Sequence, residues 1–178
     1  MLREIIQIIW FLIPAGIANM MPVLVKKIKF LDYPVDFNIK FNKKPILGKN
    51  KTFRGFFFGC LGAIIFTFLQ SLLYPYFVNY SLINYSSYNF ILIGFLLGFG
   101  ALFGDSIKSF FKRRLNIHPG KSWIVFDQID WILGSLLFTS FFIGFNYFMW
   151  MISIVLFGIL HIIINYIGYI LKIKKNKF

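Results

Sequence analysis

The sequence predicts an all-α integral membrane protein with five transmembrane helices. Of its 178 residues, 58% are hydrophobic and 21% are aromatic, and the mean hydropathy is +0.74. These values lie far outside the usage of soluble globular proteins. Five apolar stretches reach about 20 residues, the length that a helix needs to cross a hydrocarbon core of about 30 Å. A soluble domain of this size lacks the volume to bury so much apolar surface.

The five spans follow one another as a single membrane domain over residues 1–178. In the first span, Asn19 and Pro22 would open the helix end, because proline removes a backbone hydrogen bond. In the third, small residues spaced along one face predict close packing against a neighbouring helix. The predicted spans are 5–25, 55–74, 88–107, 126–145 and 150–171.

Lysine and arginine residues orient these spans. Nine of the 19 cations lie in 26–54, five lie in 105–125 and four lie in the C-terminal tail, whereas the connections 75–87 and 146–149 have none. With five spans, all three basic segments fall on one side, and the positive-inside rule makes that side cytoplasmic. We therefore expect a multi-pass protein of the cell membrane whose N-terminus lies outside and whose C-terminus lies in the cytoplasm.

Two alternatives bear on this topology and charge. A cleaved signal peptide over 1–18 would place the nine cations of 26–54 outside the cell, against the charge rule. The net charge of +13 needs no nucleic acid, because a basic cytoplasmic face beside anionic lipid accounts for it. It also suits an anionic substrate that approaches from the cytoplasm.

The cytoplasmic loop 26–54 contains a candidate phosphate-binding segment. Alternation in 37–41 predicts a short strand or hairpin arm. A basic run from Gly48 to Gly55 then leads directly into the second span. Backbone N–H groups at a helix N-terminus favour an anion there. Basic residues at a cytoplasmic helix end are also expected without any ligand, so this segment alone does not decide its function.

Three of the six acidic residues lie close together in sequence at the predicted membrane edge. Asp105, Lys108 and Lys112 share one helix face, and Asp127 and Asp130 are three positions apart at the start of the fourth span. Each aspartate alone could pair with a lysine or cap a helix. Three aspartates at two span ends, among many cations, instead favour Mg²⁺ together with a polyphosphate. Such a site works by positioning and charge stabilisation and needs no nucleophilic side chain.

These segments resemble the signature of the membrane CTP:phosphatidate cytidylyltransferases. Gly104-Asp105-x-x-x-Ser109-x-x-Lys112-Arg113 is followed by Asp127-x-x-Asp130, and Asn50-Lys51-Thr52-x-Arg54-Gly55 precedes both. The chain is most similar to the short archaeal-type branch of that family, the CDP-archaeol synthases. It lacks the Gly-His-Gly-Gly element of the bacterial form and has Gln128 in place of an arginine.

The resemblance implies a reaction and a set of site residues. A membrane lipid phosphate attacks the α-phosphorus of CTP, giving a CDP-activated lipid and pyrophosphate, with Mg²⁺ as cofactor. Asp105, Asp127 and Asp130 would be the metal and catalytic carboxylates, and Lys112 would share in catalysis. The implied nucleotide- and phosphate-binding residues are Asn50, Lys51, Thr52, Arg54, Lys108, Ser109, Arg113, Arg114 and Lys121.

Several alternatives stay open at this stage. The departures from the bacterial form favour an unsaturated archaetidic acid as substrate, with phosphatidic acid as the alternative. A CDP-alcohol phosphotransferase would need a denser aspartate motif than the chain has. A small non-enzymatic transporter or assembly protein would be expected to carry its acids in mid-span. The expected partners are CTP, a lipid phosphate and the bilayer, with no nucleic acid, and a homodimer is left open.

Overall fold

The computed structural model consists of five α-helices and one small hairpin. It describes residues 2–118, 121, 123, 125–144 and 147–170. Two short antiparallel strands between the first two helices form a hairpin, but only the last two residues of the arm expected at 37–41 belong to it, since Phe37 and Asn38 lie in a turn with positive φ. The helical class predicted from composition is confirmed. The elements are α1 (Leu2–Leu24), β1 (Lys40–Phe41), β2 (Lys44–Pro45), α2 (Phe53–Phe77) with a 3-10 turn at Val78–Tyr80, α3 (Phe90–Arg114), α4 (Phe126–Ser140) and α5 (Tyr147–Ile170).

Within the described residues, three helices are long and apolar enough to cross a membrane. They are α1, α3 and the helical segment Phe53–Tyr80. The apolar part of α5 over Tyr147–Ile163 is shorter. Helix α4 has 15 residues, which at 1.5 Å per residue gives about 22 Å and falls short of the hydrocarbon core. The count of five spans and their orientation therefore stay predictions.

Helix α4 ends at Ser140, before the predicted end of the fourth span at 145. The backbone amides of Phe142 and Ile143 both donate to the carbonyl of Thr139, which closes a turn and ends the helix. The apolar composition continues through this turn, so composition did not mark the end. Residue 145 itself, residue 171 of the predicted fifth span and the basic tail 172–178 lie outside the described residues.

Helix α3 lies at the centre of the bundle, where it packs against α1, α2 and α4. Its buried face includes Ile93, Leu97 and Ala101, and it meets Leu12 of α1 and Ile132 of α4 in one hydrophobic core. The helix continues to Arg114, well past the predicted span end at 107. It therefore carries the apolar core at one end and the charged residues at the other.

Glycine residues bring α3 and α4 into backbone contact. A Cβ atom on Gly104 would lie 2.1 Å from the carbonyl oxygen of Asp130, and one on Gly134 would lie 2.1 Å from that of Gly100. No side chain fits in either place. The close packing predicted for the small residues of α3 is confirmed, but they lie on two faces and not one, since Gly94 and Gly98 meet α2 whereas Gly100 and Gly104 meet α4.

Both predicted cytoplasmic loops lie at the same end of the bundle. Lys44 Nζ of the hairpin donates to the carbonyl of Arg114 at 3.0 Å, which joins the first loop to the end of α3. At the opposite end, Arg3 Nε donates to the carbonyl of Asn79 at 2.7 Å. The two loops therefore form one surface over the end of α3 and the start of α4.

Candidate active site

Three aspartates converge on the ammonium group of Lys108. Lys108 Nζ lies 3.1 Å from Asp105 Oδ1, 3.0 Å from Asp127 Oδ1 and 2.7 Å from Asp130 Oδ2. Asp105 and Lys108 occupy one face of α3, and the other two aspartates occupy the first turns of α4. The predicted gathering of the three carboxylates from two helices is therefore what the fold produces. The contact between Gly104 and Asp130 explains it, because it holds the two helix ends together.

Two more lysines complete an alternating cluster of charges. Lys51 forms an ion pair with Asp105. Lys112 Nζ lies 3.0 Å and 3.1 Å from the two oxygens of Asp127. It also donates to the carbonyl of Lys121 at 2.6 Å. The ammonium and carboxylate charges of these six side chains balance, and we call the six residues the Asp–Lys cluster: Lys51, Asp105, Lys108, Lys112, Asp127 and Asp130.

Asp127 also organises the entry to α4. Its Oδ2 accepts the backbone N–H of Trp123 at 2.6 Å, and Gln128 Oε1 accepts the backbone N–H of Val125 at 3.1 Å. Val125 itself has φ 74°, a strained conformation for a β-branched residue. The N-cap position of α4 is Val125, so Asp127 is not the helix cap considered for it from sequence; it holds the segment before the helix and lies in the Asp–Lys cluster.

The donor set of the cluster fits Mg²⁺, although its present spacing fits an ammonium group. Mg²⁺ in phosphate-handling sites is held by one or two carboxylates plus phosphate oxygens at about 2.1 Å. Asp130 is buried, and its Oδ1 has no hydrogen-bond partner among the described residues. Its Oδ2 meets Lys108 as an ion pair without hydrogen-bond alignment. In the described part of the chain, no three acidic, histidine or cysteine side chains are spaced to hold an ion directly.

A polar pocket opens beside the cluster between the first cytoplasmic loop and α3. It has a volume of about 120 Å³, and both loop backbone and charged side chains line it. That volume admits phosphate groups but not a whole nucleoside triphosphate. Five of its ten lining residues are cations that can neutralise phosphate charge. Its lining residues are Leu47, Gly48, Lys49, Asn50, Lys51, Asp105, Lys108, Ser109, Lys112 and Arg113.

An apolar groove of about 410 Å³ runs between α3 and α4 on another side of the cluster. Phe103, Ile107 and Phe111 are four positions apart and form one stripe of α3 along this groove. Ile129 and Leu133 form the facing stripe of α4. The charged groups that line it are Lys108 and Asp130 at the cluster. Among the residues that the structure describes, only Lys108 lines both the polar pocket and the groove.

The first loop is held in place by a residue that sequence reasoning missed, Asp36. Its carboxylate accepts the backbone N–H groups of Leu47 at 2.8 Å, Gly48 at 3.0 Å and Asn38 at 3.1 Å. Burial raises the pKa of this carboxyl, but these hydrogen bonds outweigh burial and hold the pKa below its ordinary value. The contact two residues ahead is a local turn in which an aspartate is typical. That Asp-x-Asn pattern was the signal in the sequence.

Thr52 and Arg54 lie outside the pocket lining and support the loop. Thr52 caps α2, and its hydroxyl accepts the N–H of Gly55 at 3.2 Å. Arg54 is buried, lies 2.9 Å from Asp32 Oδ1 and donates to the carbonyl of Ile28. Both were predicted to bind phosphate, and the structure gives each of them a set of partners within the protein.

Arg114 and Lys121 also lie outside the pocket lining. Arg114 donates to the carbonyls of Phe41 at 2.6 Å and Pro45, and its guanidinium stands 4.8 Å from the Phe110 ring centroid. It thereby fastens the hairpin to α3. Lys121 contributes its carbonyl oxygen to Lys112. Of the thirteen predicted site residues, the structure gathers nine: Asn50, Lys51, Asp105, Lys108, Ser109, Lys112, Arg113, Asp127 and Asp130.

Comparisons with known proteins agree with this architecture. The family model for CarS-like CDP-archaeol synthase matches residues 1–178. CDP-archaeol synthase of Methanococcus maripaludis strain C7 is 35% identical over 94% of this chain and 93% of its own length. The Archaeoglobus fulgidus enzyme of the same name is 36% identical over 98% of both chains.

A solved structure supports the same relationship in three dimensions. It is described as an intramembrane enzyme for archaeal membrane lipids biosynthesis. It matches this chain with a TM-score of 0.70 and 27% identity, covering 88% of this chain and 91% of its own.

Fold and site together define a helical membrane protein with a charged centre where two of its helices meet. Within that class, the chain belongs to the CDP-archaeol synthase family.

Proposed function

We propose that this protein transfers CMP from CTP to an ether-linked isoprenoid lipid phosphate, an unsaturated archaetidic acid, at the cytoplasmic face of the membrane. Membership of the CDP-archaeol synthase family makes it a cytidylyltransferase of archaeal lipid biosynthesis. The observation that carries the finer proposal is the meeting of a polar pocket and an apolar groove at Lys108, beside three aspartates. A hydrophilic nucleotide can reach Lys108 through the polar pocket, and a lipid can reach it through the apolar groove.

The polar pocket suits the triphosphate of CTP. Lys51, Lys112 and Arg113 supply cationic donors around it, and the backbone of Gly48 forms part of its wall. Gly48 has φ 96°, a backbone conformation that favours glycine. The loop can therefore approach a phosphate closely without a side chain in between. The cytidine moiety would extend from this pocket over the loop surface.

The groove suits the isoprenoid chains of the lipid. Its stripes from α3 and α4 offer aromatic and branched aliphatic contacts, and several of the side chains are exposed on the outside of the bundle. The phosphate head group would lie at the cluster end, near Lys108. A phosphate oxygen there would attack the α-phosphorus of CTP while the bond to the bridging oxygen breaks and pyrophosphate leaves.

Asp105, Asp127 and Asp130 are the residues that would hold Mg²⁺. The ion would neutralise charge on the phosphates as the new bond forms. Lys112 is held in place by Asp127 and the carbonyl of Lys121, so it can stabilise the charge of the leaving pyrophosphate without reorganising. No side chain needs to act as a nucleophile, because the lipid phosphate supplies it.

A turnover assay with purified protein tests the proposal. CTP, Mg²⁺ and an unsaturated archaetidic acid should give pyrophosphate and a CDP-lipid, faster than with phosphatidic acid. Asp127→Asn should lower the rate by about a hundredfold or more, as expected for loss of a charge-stabilising group. Glu4→Gln also replaces a carboxylate by an amide. Glu4 is exposed near the start of α1, at the end of the bundle away from the Asp–Lys cluster, so this variant should keep activity. Near-normal turnover of Asp127→Asn would remove its catalytic role, and a lack of pyrophosphate release by the unmodified protein would remove the proposed reaction.

A further inference from the structure

Lys108 occupies the position at which the three aspartates would hold a metal ion. Its ammonium nitrogen lies between 2.7 and 3.1 Å from one oxygen of each carboxylate. These are the distances of a charge-assisted hydrogen bond or ion pair. Carboxylate oxygens bound to Mg²⁺ would lie about 1 Å closer to the ion, since that coordination needs about 2.1 Å. The carboxylates are therefore arranged around a cation that the chain itself supplies.

A dication and the Lys108 ammonium cannot share these oxygens. An ion at the centre of the three carboxylates would lie within about 3 Å of the ammonium, and like charges at that distance repel strongly. The other two lysines of the cluster approach from outside, Lys51 at Asp105 and Lys112 at Asp127. They do not stand between the three carboxylates. Of the three lysines, Lys108 is therefore the one that must leave before the carboxylates can close on a metal ion.

The position of Lys108 gives its side chain somewhere to move. It lines the apolar groove as well as the polar pocket, together with Asp130 at the groove's charged end. A lysine carries its compact charge on a flexible stem of four carbons, so the amino group can turn while the backbone of α3 stays fixed. Turned toward the groove, it would meet the head group of a lipid lying there.

We propose that Lys108 is an exchangeable cation. It occupies the centre of the three aspartates while no metal is bound, and metal binding releases it to bind the phosphate of the lipid. This inference rests on the proposed function and adds to it the order in which the substrates bind. Metal with CTP binds first, and the lipid phosphate binds tightly only after Lys108 has been released. Because coupling between ligands is reciprocal, bound lipid phosphate also strengthens metal binding.

Mn²⁺ binding to the purified full-length protein, measured by electron paramagnetic resonance without CTP or lipid, tests the exchange directly. Lys108→Met removes the competing charge and keeps most of the side-chain volume. It should bind Mn²⁺ about tenfold more tightly or better, within the range usual for coupling between two ligands. Lys108→Arg retains a cation and should bind Mn²⁺ as weakly as the unmodified protein. Lys40→Met removes an exposed lysine of the hairpin and should change nothing.

Equal Mn²⁺ affinity of the unmodified protein and Lys108→Met would overturn the inference. So would a loss of Mn²⁺ binding in Lys108→Met, because the ammonium would then be a fixed support of the site rather than a competitor. The proposed reaction is tested independently, since pyrophosphate release by the unmodified protein does not depend on which of these results is found.

A second measurement needs no variant and so does not depend on the folding of Lys108→Met. Acetic anhydride labelling of the unmodified protein, read by mass spectrometry, should modify Lys108 faster when Mn²⁺ is present, because its amino group leaves the carboxylates. Labelling of Lys40 in the same sample is the internal reference. An unchanged ratio of Lys108 to Lys40 labelling, at Mn²⁺ concentrations that saturate the protein, would contradict the exchange.

Discussion

At the scale of single residues, Asp36 shows how a buried carboxylate shapes a site that it does not enter. It lies outside the polar pocket, yet its hydrogen bonds to Leu47 and Gly48 fix the segment that forms one wall of that pocket. The Asp-x-Asn pattern marks the local turn at Asp36, but the contacts with Leu47 and Gly48 depend on how the loop folds and have no local signal. A carboxylate that accepts several backbone N–H groups stabilises the loop only while it is ionised.

Asp36→Asn is expected to lower the stability of the folded protein at pH 7 by about 1–3 kcal/mol, the usual worth of hydrogen bonds to a charged group. Because the pKa of Asp36 is lowered by folding, this contribution is complete above its unfolded pKa, near about 4. It is lost as the pH falls through the lower, folded pKa. In detergent, the melting temperature of the unmodified protein should therefore exceed that of Asp36→Asn at pH 7, and this difference should narrow toward pH 3.

Glu4→Gln is the matched change for this experiment, since it neutralises a carboxylate at the far end of the bundle. The KM for CTP should also rise in Asp36→Asn, because the wall of the polar pocket is no longer fixed. A difference in melting temperature that stays constant between pH 7 and pH 3 would show that ionisation of Asp36 does not stabilise the loop.

At the scale of the helices, the contact between α3 and α4 determines whether the aspartates meet. Spacing within each helix predicted which residues share a face, because helical periodicity is a local property. The Gly residues of α3 predicted close packing in the same way. What the sequence could not give was the partner of that face or the rotation of α4, since those depend on contacts between distant segments. The central position of Lys108 follows from that rotation and was missed for the same reason.

Gly134→Ala is expected to push α3 and α4 apart, because its Cβ would lie 2.1 Å from the carbonyl oxygen of Gly100. The strain should cost about 1–3 kcal/mol of stability, and a shift of about 1 Å at the cluster can lower turnover by about a hundredfold. Gly16→Ala is the control, since its Cβ would meet its nearest neighbour at 3.9 Å. Turnover and melting temperature are measured for both variants. Equal activity of the two would show that the close contact between α3 and α4 is not needed for turnover.

At the scale of the whole molecule, composition and charge were enough to predict a helical membrane protein with its two basic loops at one end. The length of α4 was not predictable from them, because the apolar run continues beyond the turn at Thr139. The sequence also did not show which arginines have a structural role and which line the polar pocket. Arg54 and Arg114 bind carbonyl groups and an aspartate far away in sequence, and no local spacing distinguishes them from a phosphate ligand.

The separation of the two cavities predicts that one substrate can be blocked without the other. Leu133→Trp places a larger side chain in the apolar groove, so the KM for the lipid phosphate should rise about tenfold or more, as expected when a pocket cannot accept its ligand without strain. The KM for CTP should stay within about twofold. Leu69→Trp makes the same change on an exposed part of α2 and should leave both KM values unchanged. A parallel rise of both would contradict separate cavities.

The proposed orientation can be measured in intact cells. Cys60 is the single cysteine, so a Cys60→Ser background accepts one reporter at a time. Ser87→Cys in the exposed connection between α2 and α3 should react with a membrane-impermeant maleimide added outside, because the proposed positive-inside orientation places this connection outside. Lys40→Cys in the hairpin should react only after the cells are opened. Labelling of Lys40→Cys from outside would show that the orientation is the reverse of the one proposed, with the Asp–Lys cluster on the outer face.

The backbone contact at Gly104 and Gly134 has a consequence for an enzyme that works in a fluid bilayer. Main-chain atoms have no rotamers to exchange, so we expect the distance between the two halves of the Asp–Lys cluster to change little as the surrounding lipid moves. The exposed phenylalanines on the outer faces of the helices can rearrange as membrane thickness or fluidity changes. We therefore expect lipid-dependent rearrangement at the outer side chains, and a constant separation of the aspartate on α3 from those on α4.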